Sequence, residues 1–115
     1  MALPSKYRLS RSREIKEVFK RGESFDSGLF QIRFIPAALG VKKFAFIVGL
    51  KVSKRAVIRN KIKRKINEII ERNISKIKPG YLIAILVKSR AAYEEPKNLE
   101  EDLMNNLIKI GRWKK

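Results

Sequence analysis

The chain has 115 residues and 44% apolar content, which suits one compact domain with a small core. It carries 28 Lys and Arg against 11 Asp and Glu, a formal net charge of +17 at pH 7. A charge of this size favours an anionic partner, with nucleic acid the first candidate and an anionic membrane surface the second. Cysteine and histidine are absent, which excludes disulfides, Cys/His zinc sites and catalytic sets that need either residue.

The N-terminal segment predicts an arm and then a short helix. Residues 1–10 form an irregular basic arm, and residues 1–7 lack the apolar core of a signal peptide, so we expect a soluble, cytoplasmic protein. Ser10 or Ser12 caps a helix that runs to about Arg21 and stops at Gly22. The apolar residues of this helix share one stripe: Ile15, Val18 and Phe19.

Alternating residues then predict strands. A short edge strand is expected at 23–26, and a second strand runs from Leu29 to Ile35, where Pro36 ends it. A third strand is predicted from Phe44 to Val52. Small and polar residues line the second side of that strand: Ala45, Gly49, Lys51 and Ser53.

After the third predicted strand, the spacing of apolar residues changes from every second residue to the spacing of an amphipathic helix. Its stripe consists of Ile58, Ile62, Ile66, Ile69 and Ile70. The helix frays toward Lys78, and the apolar run from Tyr81 to Val87 predicts a central buried strand. A last helix begins at Pro96, with acidic residues crowded at its start, where the helix dipole favours them.

The predicted order is α-β-β-β-α-β-α over one domain, residues 1–115. We therefore expect an α/β (α+β) fold, with about four strands in one sheet and the helices largely on one side. The helix between the last two strands is a crossover, and the default hand for such a unit is right.

The strongest functional signal is the segment 51–65, in which eight of fifteen residues are Lys or Arg and none is acidic. A charge run of this kind is usually a solvated face. Here acidic i,i+4 partners are lacking, and asparagine, a poor helix former, sits among the cations. The isoleucine stripe also places the cations on a folded helix, so the segment predicts contact with a nucleic-acid backbone.

A second candidate surface is the sheet face that carries Gln31 and Arg33. The first helix would form its wall, with Phe19 exposed enough to stack on a base of single-stranded RNA. The simpler interpretation, favoured by the residues alone, is that Phe19 completes a core stripe.

The basic segment resembles the signature of the bacterial ribonuclease P protein subunit. Two adjoining stretches carry the resemblance: GLKVSKR over residues 49–55 and AVIRNKIKR over residues 56–64. The family signature joins a strand ending in V-S-K-K/R to a helix with A-V-x-R-N-R-x-K-R. The order of elements is similar over nearly the whole chain, and residues 14–21 before a glycine resemble the family's first helix.

The resemblance implies an accessory subunit of a ribozyme that removes the 5′ leader of precursor tRNA. The RNA subunit would be the catalyst and would hold Mg²⁺, so no catalytic or metal-binding residue is expected on this chain. A monomer in a 1:1 complex and a left-handed crossover, against the default hand, are also implied. Contacts to the catalytic RNA would come from Lys54, Arg55, Arg59, Asn60, Lys61, Lys63 and Arg64. Contacts to the leader would come from Ile15, Phe19, Arg33, Lys51 and Ser53.

The sequence departs from the family pattern at three places. Members usually carry about three more residues before the A-V pair, whereas here Arg55 runs directly into Ala56. Lys61 stands where the family has an arginine. Lysine keeps the charge but lacks the planar guanidinium that forms two parallel hydrogen bonds with a phosphate. Ile15 stands where an aromatic residue is common.

Three other functions compete with this interpretation. A ribosomal or general RNA-binding module would show no preference for precursor over mature tRNA. A DNA-binding helix lacks support because no tandem helix-turn-helix pattern is present. A stand-alone nuclease lacks an acid–base set. Under the favoured hypothesis, Arg59→Ala and Arg64→Ala both weaken assembly with the catalytic RNA and leave folding intact.

Overall fold

The computed structural model describes residues 4–110, so the first three residues of the predicted arm lie outside the described part. One sheet of four strands has the order β1-β2-β4-β3. The elements match the predicted order and, in chain order, are α1 (Ser12–Arg21), β1 (Glu23–Asp26), β2 (Phe30–Pro36), β3 (Lys42–Val48), α2 (Ala56–Arg72), β4 (Tyr81–Val87) and α3 (Pro96–Leu107).

The crossover unit is present, because β3 and β4 are adjacent and parallel and α2 joins them. The other two pairs, β1 with β2 and β2 with β4, are antiparallel. The left hand that the family resemblance implies for this crossover stays a prediction. Within residues 4–110, no helix has both the length and the apolar character that crossing a bilayer requires.

Helices cover both faces of the sheet. The larger core lies on the face that α2 and α3 cover, where phenylalanines and isoleucines from the strands meet the α2 stripe. On the opposite face α1 contacts β2 and β4, and its Val18 is fully buried above Ala45 and Ala84. The small alanines let the helix sit close to the sheet.

The third strand is shorter than predicted. It ends at Val48 instead of Val52, so Lys51 and Ser53 lie in the following turn. The ladder stops there because Val48 pairs with Val87, the last residue of β4, and nothing continues the pairing. The Val52 N–H then donates to the Gly49 carbonyl over 3.1 Å and closes the turn.

The first helix ends at Gly22 as predicted, but neither Ser10 nor Ser12 caps its start. Its N-cap residue is Arg11, and no side chain caps it. The Gly22 N–H donates to the Val18 carbonyl over 2.8 Å. A β-carbon at this position would lie 2.2 Å from the Val18 oxygen, so the close approach requires glycine.

The described part of the arm is more ordered than predicted. A 3-10 turn covers Ser5–Tyr7, and Arg8 forms a parallel bridge with Phe44 at the outer edge of β3. The N–H of Leu9 donates to the Phe44 carbonyl over 2.8 Å, and the Leu9 side chain is buried. The arm is therefore docked along β3, between α1 and α2.

Candidate nucleic-acid interface

The predicted basic helix is a regular α-helix with its stripe inward. Ile62, Ile66, Ile69 and Ile70 are buried, which anchors α2 on the sheet. Of the predicted contacts to the catalytic RNA, which lie on α2 and in the turn before it, only Arg59 and Lys63 are half-buried. The exposed members are Lys54, Arg55, Asn60, Lys61 and Arg64. The fold thus presents the four cations among them, Lys54, Arg55, Lys61 and Arg64, outward from an anchored helix and the turn before it.

Within residues 4–110, no identified ion pair neutralises this array of cations. The ion pairs identified among residues 4–110 join Arg21 to Glu17, Arg72 to Glu100 and Lys88 to Asp26, and none involves residues 51–65. An unpaired, anchored set of like charges is stabilised by a polyanion placed against it.

Arg59 differs from its neighbours because it also supports the turn before the helix. Its Nη1 donates to the Ser53 carbonyl over 2.9 Å. The Ser53 Oγ in turn accepts the Arg55 N–H over 3.2 Å. These bonds bridge the turn that lacks the family's extra residues. A guanidinium has five donors, so Arg59 retains others for a phosphate.

The two flanks of α2 face different neighbours. On one flank, Nη2 of Arg72 donates to Oε1 of Glu100 on α3 over 2.7 Å. On the other, Asn67 lines a groove together with Arg8 of the arm and Ile15 of α1. Residues four apart on a helix share a side, so the Lys63 side chain lies on the Asn67 flank. The surface of α2 is therefore continuous with the α1 side of the sheet.

Part of the sheet face beside α1 is uncovered. One row across the strands, Arg33–Ala84–Ala45, includes the two alanines buried beneath α1. The next row, Gln31–Leu86–Ile47, is only half-buried. This row forms the floor of an open cleft whose wall is α1.

Phe19 and Arg33 meet at this wall. The Arg33 Cζ lies 5.5 Å from the centroid of the Phe19 ring, and its Nη1 donates to the Phe19 carbonyl over 3.1 Å. Phe19 is half-buried, whereas Val18 is fully buried, so Val18 takes the core position of the α1 stripe. The Nε of Arg33 is buried and finds no acceptor among residues 4–110.

The remaining predicted leader contacts lie along the same face. Lys51 lines a depression of about 500 Å³ at the carboxyl ends of β3 and β4, and Ser53 follows it in the turn. Ile15 lines the separate groove of about 320 Å³ beside the arm. Ile47 lines both, so the two depressions adjoin.

Sequence reasoning missed several residues of this face. Leu86 belonged to the predicted central buried strand, and Ile47 was not named on either side of the third strand; both are half-buried in the structure. Ser89 also lines the larger depression and donates from Oγ to the Lys51 carbonyl over 3.2 Å. No periodicity signals such a residue, because it follows the end of β4.

Acidic groups with shifted pKa values serve the scaffold. Hydrogen bonds from Arg72 and Asn73 lower the pKa of Glu100 and tie α3 to α2. A hydrogen bond from Lys88, with one from the Gly28 N–H, lowers the pKa of Asp26. Among residues 4–110, no group of His, Cys, Asp or Glu has the arrangement of a metal site.

Anchored cations that are unpaired within residues 4–110, beside a cleft walled by Phe19, are the features of an α+β nucleic-acid-binding domain. The family model for ribonuclease P matches residues 3–111. The chain therefore belongs to the ribonuclease P protein family, the protein component of the ribonucleoprotein endonuclease that matures tRNA 5′ ends.

Individual relatives and solved structures agree with this assignment. The ribonuclease P protein component of Picosynechococcus sp. is 32% identical over 108 residues, covering 94% of this chain and 93% of the relative. That of Clostridium botulinum is 29% identical and covers 90% and 94%. The fold is similar to the RNase P protein from Thermotoga maritima, with a TM-score of 0.82 and 26% identity over 89% of this chain and 96% of that chain.

Proposed function

We propose that this chain binds the catalytic RNA of ribonuclease P through α2 and holds the 5′ leader of precursor tRNA in the cleft beside α1. The observation that carries the proposal is the array of exposed cations on α2, unpaired within residues 4–110 and adjoining that cleft. The RNA subunit performs the hydrolysis and holds Mg²⁺. The protein acts as a monomer in a 1:1 complex in the cytoplasm.

The contribution of α2 is electrostatic positioning. Each phosphate neutralised by a lysine or arginine releases condensed counterions, so the affinity of the protein for the RNA falls steeply as the salt concentration rises. The isoleucine stripe fixes the spacing of the cations, which selects one register on the RNA. We assign these contacts to Lys54, Arg55, Arg59, Asn60, Lys61, Lys63 and Arg64.

The contribution of the cleft is selection of the precursor. A single-stranded leader crosses the open row of the sheet, stacks a base on Phe19 and meets cations at Arg33 and Lys51. Ile15 and Ser53 border this path. Mature tRNA has no leader, so only the precursor gains these contacts.

The test is reconstitution. The purified chain is mixed with a bacterial ribonuclease P RNA at physiological salt, and 5′ processing of precursor tRNA is measured with and without the protein. We expect stimulated processing and tighter binding of precursor than of mature tRNA. Equal affinity for both tRNAs would indicate a general RNA-binding module. Processing by the protein after removal of all RNA would indicate a nuclease.

A further inference from the structure

The open row of the sheet ends in an ion pair at β1. Asp26, the last residue of β1, pairs with Gln31 and so extends the row to a fourth strand. Residues paired across neighbouring strands point to the same face of a sheet, and so do residues two apart on an extended chain. Lys88 follows Leu86 by two residues, and its backbone is extended. Both charged residues therefore lie on the face of the open cleft, where the Lys88 Nζ donates to the Asp26 Oδ2.

This pair joins β1 to the segment after β4, and it is accessible to a ligand. The exposed fraction is 37% for the Lys88 side chain and 51% for that of Asp26. A hydrogen bond from the Gly28 N–H to the Asp26 Oδ1, over 2.9 Å, holds the carboxylate independently of the lysine. Ion pairs with this much exposure contribute little to stability. The lysine can therefore leave the carboxylate for another anion.

The depression at the carboxyl ends of β3 and β4 has two lysines among its lining residues, Lys51 and Lys88. Lys51 is exposed, and no ion pair identified among residues 4–110 includes it. The Ser89 Oγ donates to the Lys51 carbonyl over 3.2 Å, which joins the two segments that carry the lysines. One lysine of this depression is thus open to RNA, whereas a carboxylate occupies the other.

We propose that Lys88 is a phosphate ligand of the cleft and that Asp26 competes with RNA for it. In the free protein the carboxylate holds the ammonium, and a phosphate takes its place when single-stranded RNA crosses the open row. The three donors and the flexible stem of a lysine permit this exchange. The displaced carboxylate stays beside the RNA backbone and repels it, so Asp26 lowers the affinity of the cleft. The proposal rests on the proposed function, because the leader is the RNA that crosses this row.

The experiment replaces the carboxylate by an amide of the same shape. Asp26→Asn keeps an acceptor for the Gly28 N–H and removes the charge that holds Lys88. We expect the reconstituted holoenzyme to bind precursor tRNA about threefold more tightly, with a slope of log K against log salt that is steeper by about one. Affinity for mature tRNA should not change. Asp26→Asn combined with Lys88→Met should lose the whole gain, because the gain comes through Lys88.

The matched control is Glu101→Gln, which removes the same charge from an exposed position on α3, over the opposite face of the sheet. It should leave both affinities unchanged. Lys88→Met alone should weaken precursor binding and reduce the salt slope by about one. This variant tests the phosphate contact even if circular dichroism shows that Asp26→Asn fails to fold.

Three results would overturn the proposal. A gain that persists without Lys88, or that Glu101→Gln reproduces, shows general charge repulsion. Weaker precursor binding by Asp26→Asn shows that the carboxylate positions the lysine and does not compete for it. Unchanged binding by Lys88→Met shows that no phosphate uses this lysine. Each of these results leaves the proposed function standing, whereas an absence of stimulation by the wild type defeats the proposed function itself.

Discussion

The guanidinium of Arg33 lies over the ring of Phe19, with its Cζ 5.5 Å from the ring centroid. Its Nη1 also donates a hydrogen bond to the Phe19 carbonyl over 3.1 Å. One side chain of the sheet thereby fixes both the ring and the backbone of one residue on α1. The ring keeps part of its surface exposed at the wall of the cleft. This geometry presents a prearranged stacking surface flanked by positive charge.

The first prediction concerns this ring. Phe19→Ala should weaken binding of precursor tRNA by about tenfold, because base–aromatic stacking contributes roughly 1–3 kcal/mol per base. Binding of mature tRNA should not change. Phe19→Leu, which keeps apolar packing and removes the π-face, is the matched control for stability and should lose the same selectivity. Full precursor affinity in Phe19→Leu would show that the ring only packs.

The second prediction separates two arginines of α2. Arg59→Ala should lower the free energy of unfolding by about 1–2 kcal/mol, because its bond to the Ser53 carbonyl supports the turn. The hypothesis from sequence that Arg59→Ala leaves folding intact stays a prediction, to which the structure adds this loss of stability. Arg64 is exposed, and Arg64→Ala should change stability by no more than about 0.5 kcal/mol.

Both arginine variants should bind the catalytic RNA more weakly. For Arg64→Ala, the slope of log K against log salt should fall by about one. Urea unfolding and filter binding over a salt series measure the two effects. Equal stability of the two variants would contradict the structural role of Arg59, and an unchanged salt slope for Arg64→Ala would remove its phosphate contact.

The third prediction concerns pH and the joint between α2 and α3. The Arg72 hydrogen bond holds the pKa of Glu100 below its ordinary value of 4.5. A lowered pKa in the folded state means that the stabilisation is complete above pH 4.5 and is lost as pH falls through the folded value. Glu100→Gln should therefore destabilise the protein at pH 7 and have a diminishing effect below pH 4.5.

The size of this effect is limited because the pair is partly exposed. We expect a loss of about 0.5–1 kcal/mol at pH 7. Glu101→Gln is the control, since Glu101 is exposed and makes no ion pair with residues 4–110. Urea unfolding at pH 7 and pH 3 measures both variants, and a Glu100→Gln effect of equal size at the two values would refute the assignment.

The fourth prediction uses two glycines. Gly22→Ala places a methyl group 2.2 Å from the Val18 carbonyl oxygen, so α1 must shift or its last turn must unwind. We expect destabilisation of about 2 kcal/mol or more and weaker precursor binding, since α1 is the cleft wall. Gly49→Ala meets nothing within 4 Å and should be neutral within about 0.5 kcal/mol. Thermal unfolding of the two variants gives the comparison.

The sequence alone determined the character of α2. A stripe of isoleucines at helical spacing makes one side apolar whatever it packs against, so the cations had to face outward. The order of helices and strands could also be predicted from the sequence. Over runs of seven or more residues, the alternation of apolar residues in a strand differs clearly from their spacing in a helix. The sequence also predicted that the first helix stops at Gly22. The structure adds the reason for glycine there, since a β-carbon would lie 2.2 Å from the Val18 oxygen.

Only the tertiary structure decided which parts of these surfaces stay open. The stripe of α1 contains Ile15, Val18 and Phe19, but the sheet buries Val18 completely and leaves the other two half-exposed. Leu86 lies in the run that the sequence predicted to be buried, yet it and its neighbour Ile47 are half-exposed because α1 covers the adjacent row and not theirs. The spacing of apolar residues shows which side of a helix or strand is apolar. Whether that side is exposed depends on how far the neighbouring helix or strand extends over it.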